Sequence, residues 1–461
     1  MTRSINRRDF LKLFGAGATA VGAASTIGCS PTGSNTQSGG EASEDVPKGQ
    51  ITRKKVAGID EDISILGYGC MRWPTKKGVP KGENIVNQEA VNELVDYAIE
   101  HGVNYFDTAP MYCQGWSEEA TGTALSRYPR DSYYIATKLS NKGDHSFKFA
   151  VEMYKRSLTR LRTDYIDYYF LHNVGSTMEE FNKRFIDNGV LDFLLEERKA
   201  GRIRHLGWSF HGDAEVFDQI LAMHEEVHWD FIMIQLNYSD WRHAKATFAK
   251  NVNAEYLYGE IEKRGIPVSV MEPLLGGRLS KMPDHIVERL KQREPNMSVP
   301  SWAFRFSGSK PLVYVVLSGM VYMEHLQDNI RTYSPLKPLT EDEEEFLNKT
   351  AELLVTYPTI PCNDCDYCMP CPYGIDIPAI LLHYNKCVNE GNVANSSADE
   401  NYKSARRAYL VSYDRAIPKL RQAQRCIGCN KCKKHCPQKI DIPTELKRID
   451  QYIEQLKQET L

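Results

Sequence analysis

This sequence has no excess of positive charge: 57 lysines and arginines stand against 60 aspartates and glutamates, a formal net charge of −3. A nucleic-acid-binding chain needs a clustered basic face, so this balance reads as a solvated surface. Nor is there a run of about 20 strongly apolar residues, which a transmembrane helix requires. Cysteine is scarce before residue 362, where only Cys29, Cys70 and Cys113 occur. That scarcity excludes a disulfide framework running through the whole chain. Finally, no glycine-rich phosphate turn opens a helix after the first strand-like run. Leu66-Gly67-Tyr68-Gly69-Cys70-Met71 continues instead as Arg72-Trp73-Pro74. An open doubly wound sheet would want such a turn.

At 461 residues, the chain is long enough for a large core and more than one domain. Its beginning reads as an address. Arg7-Arg8-Asp9-Phe10-Leu11-Lys12 precedes an apolar stretch rich in Gly and Ala, from Leu13 to Gly28. Residues 1–28 therefore read as a signal peptide similar to a twin-arginine export signal, a substrate of that export machinery. Thr26-Ile27-Gly28-Cys29 resembles a lipoprotein cleavage site, with Cys29 as the acylated residue. The following polar segment lacks aromatics and suits a flexible linker, residues 29–50. Together these features predict a bacterial envelope or periplasmic location.

From about residue 62 to 332, short β-branched or aromatic runs alternate with stretches of helical periodicity. The strand candidates are Ile65–Cys70, Asn104–Thr108, Tyr133–Leu139, Tyr165–His172, His205–Phe210, Phe231–Asn237, Ile266–Leu274 and Val313–Gly319. Helix candidates between them include Gln88–His101, Lys148–Leu161, Met178–Ala200 and Trp241–Arg264, several followed by a capping glycine (Gly102, Gly201, Gly265). Eight β-then-α units predict an α/β fold, a closed (β/α)8 TIM barrel over residues 51–335.

Such barrels place chemistry at the C-terminal ends of their strands. Asp107, Lys138 and His172 stand at the ends of the second, third and fourth strand candidates, and Tyr112 follows the second. Each alone has a bland structural explanation. Together they predict a site, because polar groups among apolar strand residues are costly unless they are paired.

These residues also resemble motifs of the aldo-keto reductase family. The resemblance rests on Phe106-Asp107-Thr108-Ala109 with Tyr112, Ala136-Thr137-Lys138, and Leu171-His172-Asn173. It continues through Gly201-Arg202-Ile203, Leu206-Gly207-Trp208-Ser209, Gln235-Leu236-Asn237-Tyr238, Met271-Glu272-Pro273-Leu274 and Leu317-Ser318-Gly319. It implies a catalytic tetrad of Asp107, Tyr112, Lys138 and His172 for hydride transfer between NAD(P)H and a small carbonyl substrate. Tyr112 would be the acid/base, with Lys138 expected to lower its pKa. The resemblance further implies that Ser209 and Gln235 bind the nicotinamide carboxamide and that Asn329 meets the adenine. Phe210 and Met271 replace the Asn and the stacking Tyr of many members. Gly319 and His325 stand where many members carry the Lys and Arg that meet the 2′-phosphate, so NAD and NADP both remain open.

The last third holds two similar cysteine runs. One is Cys362-x-x-Cys365-x-x-Cys368-x-x-Cys371-Pro372, and the other is Cys426-x-x-Cys429-x-x-Cys432-x-x-x-Cys436-Pro437. The second has the spacing of a bacterial ferredoxin run. Eight cysteines in this order fit zinc less well. Residues 336–461 therefore predict a mostly helical ferredoxin-like domain with two [4Fe–4S] clusters. By that resemblance, one cluster takes Cys362, Cys365, Cys368 and Cys436, and the other Cys426, Cys429, Cys432 and Cys371. Cys70, Cys113 and Cys387 read as structural thiols.

The resulting expectation is a carbonyl reductase whose clusters exchange electrons with a membrane-associated partner. The alternative is an exported iron–sulfur electron-transfer or binding protein on a catalytically retired barrel. In a third reading the clusters only brace the fold.

Overall fold

The computed structural model describes residues 46–461, except residues 77, 81, 248–250 and 356–358. The signal-like segment, Cys29 and most of the linker lie outside the described residues.

Eight parallel strands close into a barrel in chain order, β1 pairing with β8. They are β1 Leu66–Gly69, β2 Tyr105–Asp107, β3 Tyr134–Leu139, β4 Ile166–Val174, β5 Ile203–Phe210, β6 Phe231–Gln235, β7 Val268–Met271 and β8 Val313–Ser318. Most strand residues are buried on both faces, which is why the strands read as continuous apolar runs rather than alternating ones. Tyr105, Tyr168, Phe231 and Tyr314 fill the interior, and Val56, Ile59 and Ile63 of the N-terminal segment join this cluster. Glu61 closes the same end through a 2.6 Å contact with His205. Polar groups further along the strands are thereby left to face the opposite mouth.

The helices Gln88–Glu100 and Phe147–Leu161 match their expected spans closely. Asn87 and Ser146 cap them, each side chain accepting a backbone N–H of the first turn. Two expected helices are broken. Residues 178–200 form a short turn of helix, a π-turn Asn182–Ile186 and then Val190–Lys199, interrupted at Gly189 with φ +74°. Residues 241–264 divide into Asp240–Thr247 and Ala254–Glu262. There the Asn253 carboxamide accepts the Ala244 N–H, taking the place of a continuing helical bond.

The helix Glu341–Leu354 sends Leu347 and Ala351 into the barrel core, so a second core begins only at Ile360. That core is built from the helices Ile377–Asn389, Tyr402–Ala416 and Ile442–Gln458, with the cysteine runs packed against them. Among the described residues, no helix is long and apolar enough to cross a membrane.

Candidate functional site

Asp107 ends β2 and Lys138 lies one residue from the end of β3, both buried at the same mouth. Lys138 Nζ donates to Asp107 Oδ1 at 2.5 Å and to the Thr108 carbonyl at 2.8 Å. Burial pushes the carboxyl above its ordinary range and the ammonium below its own, and each opposes the shift of the other. Asp107 Oδ2 is buried without a hydrogen-bond partner.

Tyr112 lies in a tight turn after β2, and Lys138 Nζ sits 5.0 Å from its ring centroid. The expected lowering of its pKa does not occur. Burial, followed by the nearby Asp107, Tyr367, Cys70 and Glu272, pushes the phenol well above its ordinary value. Burial outweighs the neighbouring ammonium, so the resting Tyr112 is protonated.

The His172 ring meets that of Tyr112 edge-on, with centroids 6.0 Å apart. Its Nδ1 lies 2.5 Å from Ser140 Oγ. Burial, with Lys138 and Arg184 adding like charge, pulls its pKa well below the ordinary histidine value, so the ring is neutral. Arg184 supports this strand end from the π-turn. Its guanidinium is buried and donates to the His172 and Asn173 carbonyls at 2.7 and 3.2 Å. A π-turn is a recurrent device for aiming one side chain at a site.

The expected cofactor residues are more dispersed. Ser209 Oγ accepts the Asn173 N–H at 2.8 Å, leaving its own proton to donate. Gln235 Nε2 donates to Asp240, leaving the Gln235 carbonyl oxygen as an acceptor. Asn329 is buried and donates to Ser318 Oγ at 2.8 Å. Phe210 turns into the core against Phe217 and Trp208, with centroids 5.0 and 6.3 Å away. Beyond β7, Arg278 donates to Thr359 at 2.8 Å, while its other terminal nitrogen is buried and unpartnered.

The cysteines fall into two groups. Cys362, Cys365, Cys368 and Cys436 line one small cavity, walled by Leu381, Ile440 and Ile442. Cys436 is therefore brought to the first run, away from its neighbours in sequence. Burial disfavours the Cys432 thiolate, and Cys426, Cys429 and Cys371 stand close enough to add to that shift. Among the described residues, no three His, Cys, Asp or Glu side chains converge tightly enough to hold a single metal ion. The donor set fits a larger, thiolate-held group better than a lone zinc ion. Cys387 packs instead near His383 and Ser412, and Cys113 accepts the Trp73 N–H at 3.4 Å.

The first cysteine run rests on the barrel mouth. Asn363 donates to Glu272 Oε1 at 3.2 Å, and Arg72 donates to the Asn363 carbonyl. Gly276, at φ +67°, lies so close beneath that a Cβ there would fall 2.1 Å from Asn363 Cβ.

The aldo/keto reductase family profile matches residues 65–351, spanning all eight strands and the mouth just described. The chain belongs to the aldo/keto reductase family. A 4Fe-4S dicluster domain profile matches residues 361–440, covering both cysteine runs. The chain is thus an aldo/keto reductase-family oxidoreductase with a ferredoxin-type 4Fe-4S domain. An uncharacterized oxidoreductase of Bacillus subtilis is 29% identical over 323 residues, 64% of this chain and 94% of the relative. A D-arabinose 1-dehydrogenase of Saccharomyces cerevisiae is 37% identical over 147 residues, 28% of this chain and 41% of the yeast protein. Among solved structures, the holo form of an aldo-keto reductase from Bacillus halodurans superposes with a TM-score of 0.53 at 25% identity. That superposition covers 65% of this chain and 96% of the Bacillus protein.

Several residues around this aldo/keto reductase site escaped sequence reasoning. Ser140 lies two residues beyond Lys138, where a polar residue after a strand end is a weak signal. Arg184 had none, because it lay inside a stretch that reads as ordinary helix. Asn363 and Tyr367 become part of the mouth only through docking of the second core, where Arg72 meets Asn363.

Proposed function

We propose that the barrel reduces an aldehyde or ketone, with Tyr112 as the acid and a bound nicotinamide nucleotide as the hydride source. The observation that carries this reading is the convergence of a protonated Tyr112, the buried Asp107–Lys138 pair and a neutral His172 at one mouth. As negative charge grows on the carbonyl oxygen, the Tyr112 hydroxyl gives up its proton to it. Lys138, 5.0 Å from the ring centroid, stabilises the phenolate left behind. Asp107 keeps the ammonium in place. Ser140 donates to His172 Nδ1, so that Nε2–H points to the carbonyl oxygen and polarises it.

NADP or NAD, when bound in its reduced form, supplies the hydride. Ser209 would donate to its carboxamide oxygen and the Gln235 carbonyl would accept from its amide. The unpartnered Arg278 nitrogen suits an anionic phosphate, and Asn329 is assigned to the adenine end. The cavity of Cys362, Cys365, Cys368 and Cys436 is assigned to one [4Fe–4S] cluster, and Cys371, Cys426, Cys429 and Cys432 to a second. Clusters held by these cysteines would supply single-electron transfer with an outside partner. Twin-arginine export with the clusters already installed, followed by retention at the envelope through Cys29, fits this use.

The test is an anaerobic titration of the cluster-loaded protein with NADPH and NADH, following nucleotide binding and cluster absorbance together. Binding with bleaching is the expected result. Binding without bleaching removes the coupling but keeps the reductase. No binding of either nucleotide overturns the nicotinamide reading in favour of an electron-transfer protein on a retired barrel.

A further inference from the structure

The two cysteine runs are similar in spacing and opposite in charge. Between residues 359 and 385 there are three aspartates and no lysine or arginine. Between residues 418 and 440 there are seven lysines and arginines and no aspartate or glutamate. This local contrast is hidden in the near-neutral total. The acidic run is the one docked on the barrel, where Arg72 and Arg278 meet it. The basic run faces solvent.

Within the basic run, Cys429 is exposed, as are Lys419, Arg425, Lys431 and Lys434. Arg421 is paired with Asp376 at 3.4 Å and Lys433 with Asp441 at 2.6 Å. Lys419, Arg425, Lys431 and Lys434 make no ion pair among the described residues. Amid these charges, two aliphatic side chains stand in water: Leu420 is 73% exposed and Ile427 64%. The Leu420–Arg421 segment also touches the first run just after Cys371, through the Asp376 N–H to Arg421 carbonyl bond of 3.0 Å. Exposed apolar residues among a net excess of basic side chains, in the same run as an exposed cysteine of a redox group, have the make-up of a transient electron-transfer interface.

We propose that this face, from Lys419 to Lys434, is the docking surface for an acidic protein that exchanges single electrons with the cluster of Cys371, Cys426, Cys429 and Cys432. The inference rests on the iron–sulfur assignment made above. In each encounter the reduced partner loses one electron and the oxidised cluster gains it, with no bond made or broken. The barrel-facing acidic run is then the inner contact and the basic run the outer one. Unpaired surface charges of one sign raise the encounter rate with an oppositely charged partner and are screened by salt.

The experiment uses the full cluster-loaded chain and, as probe, the hydroquinone of a flavodoxin with a strongly acidic surface. Cluster bleaching is followed by stopped flow at increasing ionic strength. The rate is expected to fall by about tenfold or more from low to high salt. The double variant Lys419→Glu with Lys434→Glu should slow the reaction by a similar factor, and Leu420→Ser should weaken it independently of salt. Cluster absorbance and reduction by the small methyl viologen radical should be unchanged in these variants. A salt-independent rate that is equal in wild type and variants, with clusters intact, overturns the docking surface. Charge-dependent adsorption to phosphatidylglycerol vesicles with no preference for flavodoxin overturns it in favour of a lipid contact. Absence of iron–sulfur absorbance in the wild-type protein instead marks failure of the cluster assignment itself.

Discussion

Asn363 donates to Glu272 across 3.2 Å, joining the loop of the first cysteine run to the residue that follows β7. Through this contact the ferredoxin-type domain forms part of the wall of the reductase mouth. Its influence reaches Tyr112, whose ionisation is disfavoured first by burial and further by Tyr367 of that domain. The two domains therefore share one electrostatic environment, and substitutions in either should be felt in the other.

Replacing Tyr112 with Phe removes the proton donor and leaves the ring. Carbonyl reduction should fall by about 10²–10⁴-fold, while nucleotide binding, read by fluorescence titration, stays near the wild-type value. A variant retaining most of its turnover would remove Tyr112 from the chemistry.

Lys138→Met strips the partner from a buried Asp107 whose second oxygen already lacks one. Breaking one side of a buried pair costs about 3–5 kcal/mol, so the unfolding midpoint in urea should drop markedly. The double variant Asp107→Leu with Lys138→Met should recover part of the loss. Additive losses in this cycle would show that the two charges do not act as a pair.

The pH dependence follows from two opposite shifts. Tyr112 stays protonated far above neutrality and His172 stays neutral far below it. The rate of carbonyl reduction should therefore be flat from about pH 6.5 to about pH 9.

Stability should respond to acid. Burial holds His172 well below its ordinary value, and burial with Lys142 and Lys439 nearby pulls His211 down to about 4. Below the unfolded value the unfolded chain binds more protons, so stability is fully present above about pH 6.5 and is lost as pH falls. The thermal midpoint should decline between these limits, and His211→Gln should flatten that decline. An identical slope in the variant would exclude His211 as a contributor.

Gly276→Ala places a methyl group against Asn363 and imposes a side chain on a left-handed backbone. The expected result is a lower melting temperature and weaker coupling between nucleotide addition and cluster bleaching. If both match wild type, the contact is too soft to matter.

Much of the barrel was legible because strands buried on both faces leave nearly continuous β-branched and aromatic runs, as in Tyr134–Leu139 and Val313–Ser318. The grouping of Asp107, Lys138 and His172 was legible for a related reason, since barrel closure brings successive strand ends to one rim. Helix interruptions were harder to read. Gly189 breaks a stretch whose apolar spacing continues on both sides, and the π-turn that carries Arg184 leaves no mark in that spacing. The state of Tyr112 was not legible at all. It depends on how deeply the ring is buried and on side chains such as Tyr367 delivered from the second core, and both are matters of tertiary placement.

The position of Cys436 bears on how this protein is made. The cavity beside the barrel mouth draws three thiols from one loop and the fourth from the second cysteine run. That cavity cannot have all its walls until the second cysteine run has been made. A cluster occupying it would be installed only after Cys436 had been translated, and would fasten the second run to the barrel-facing loop in the same event.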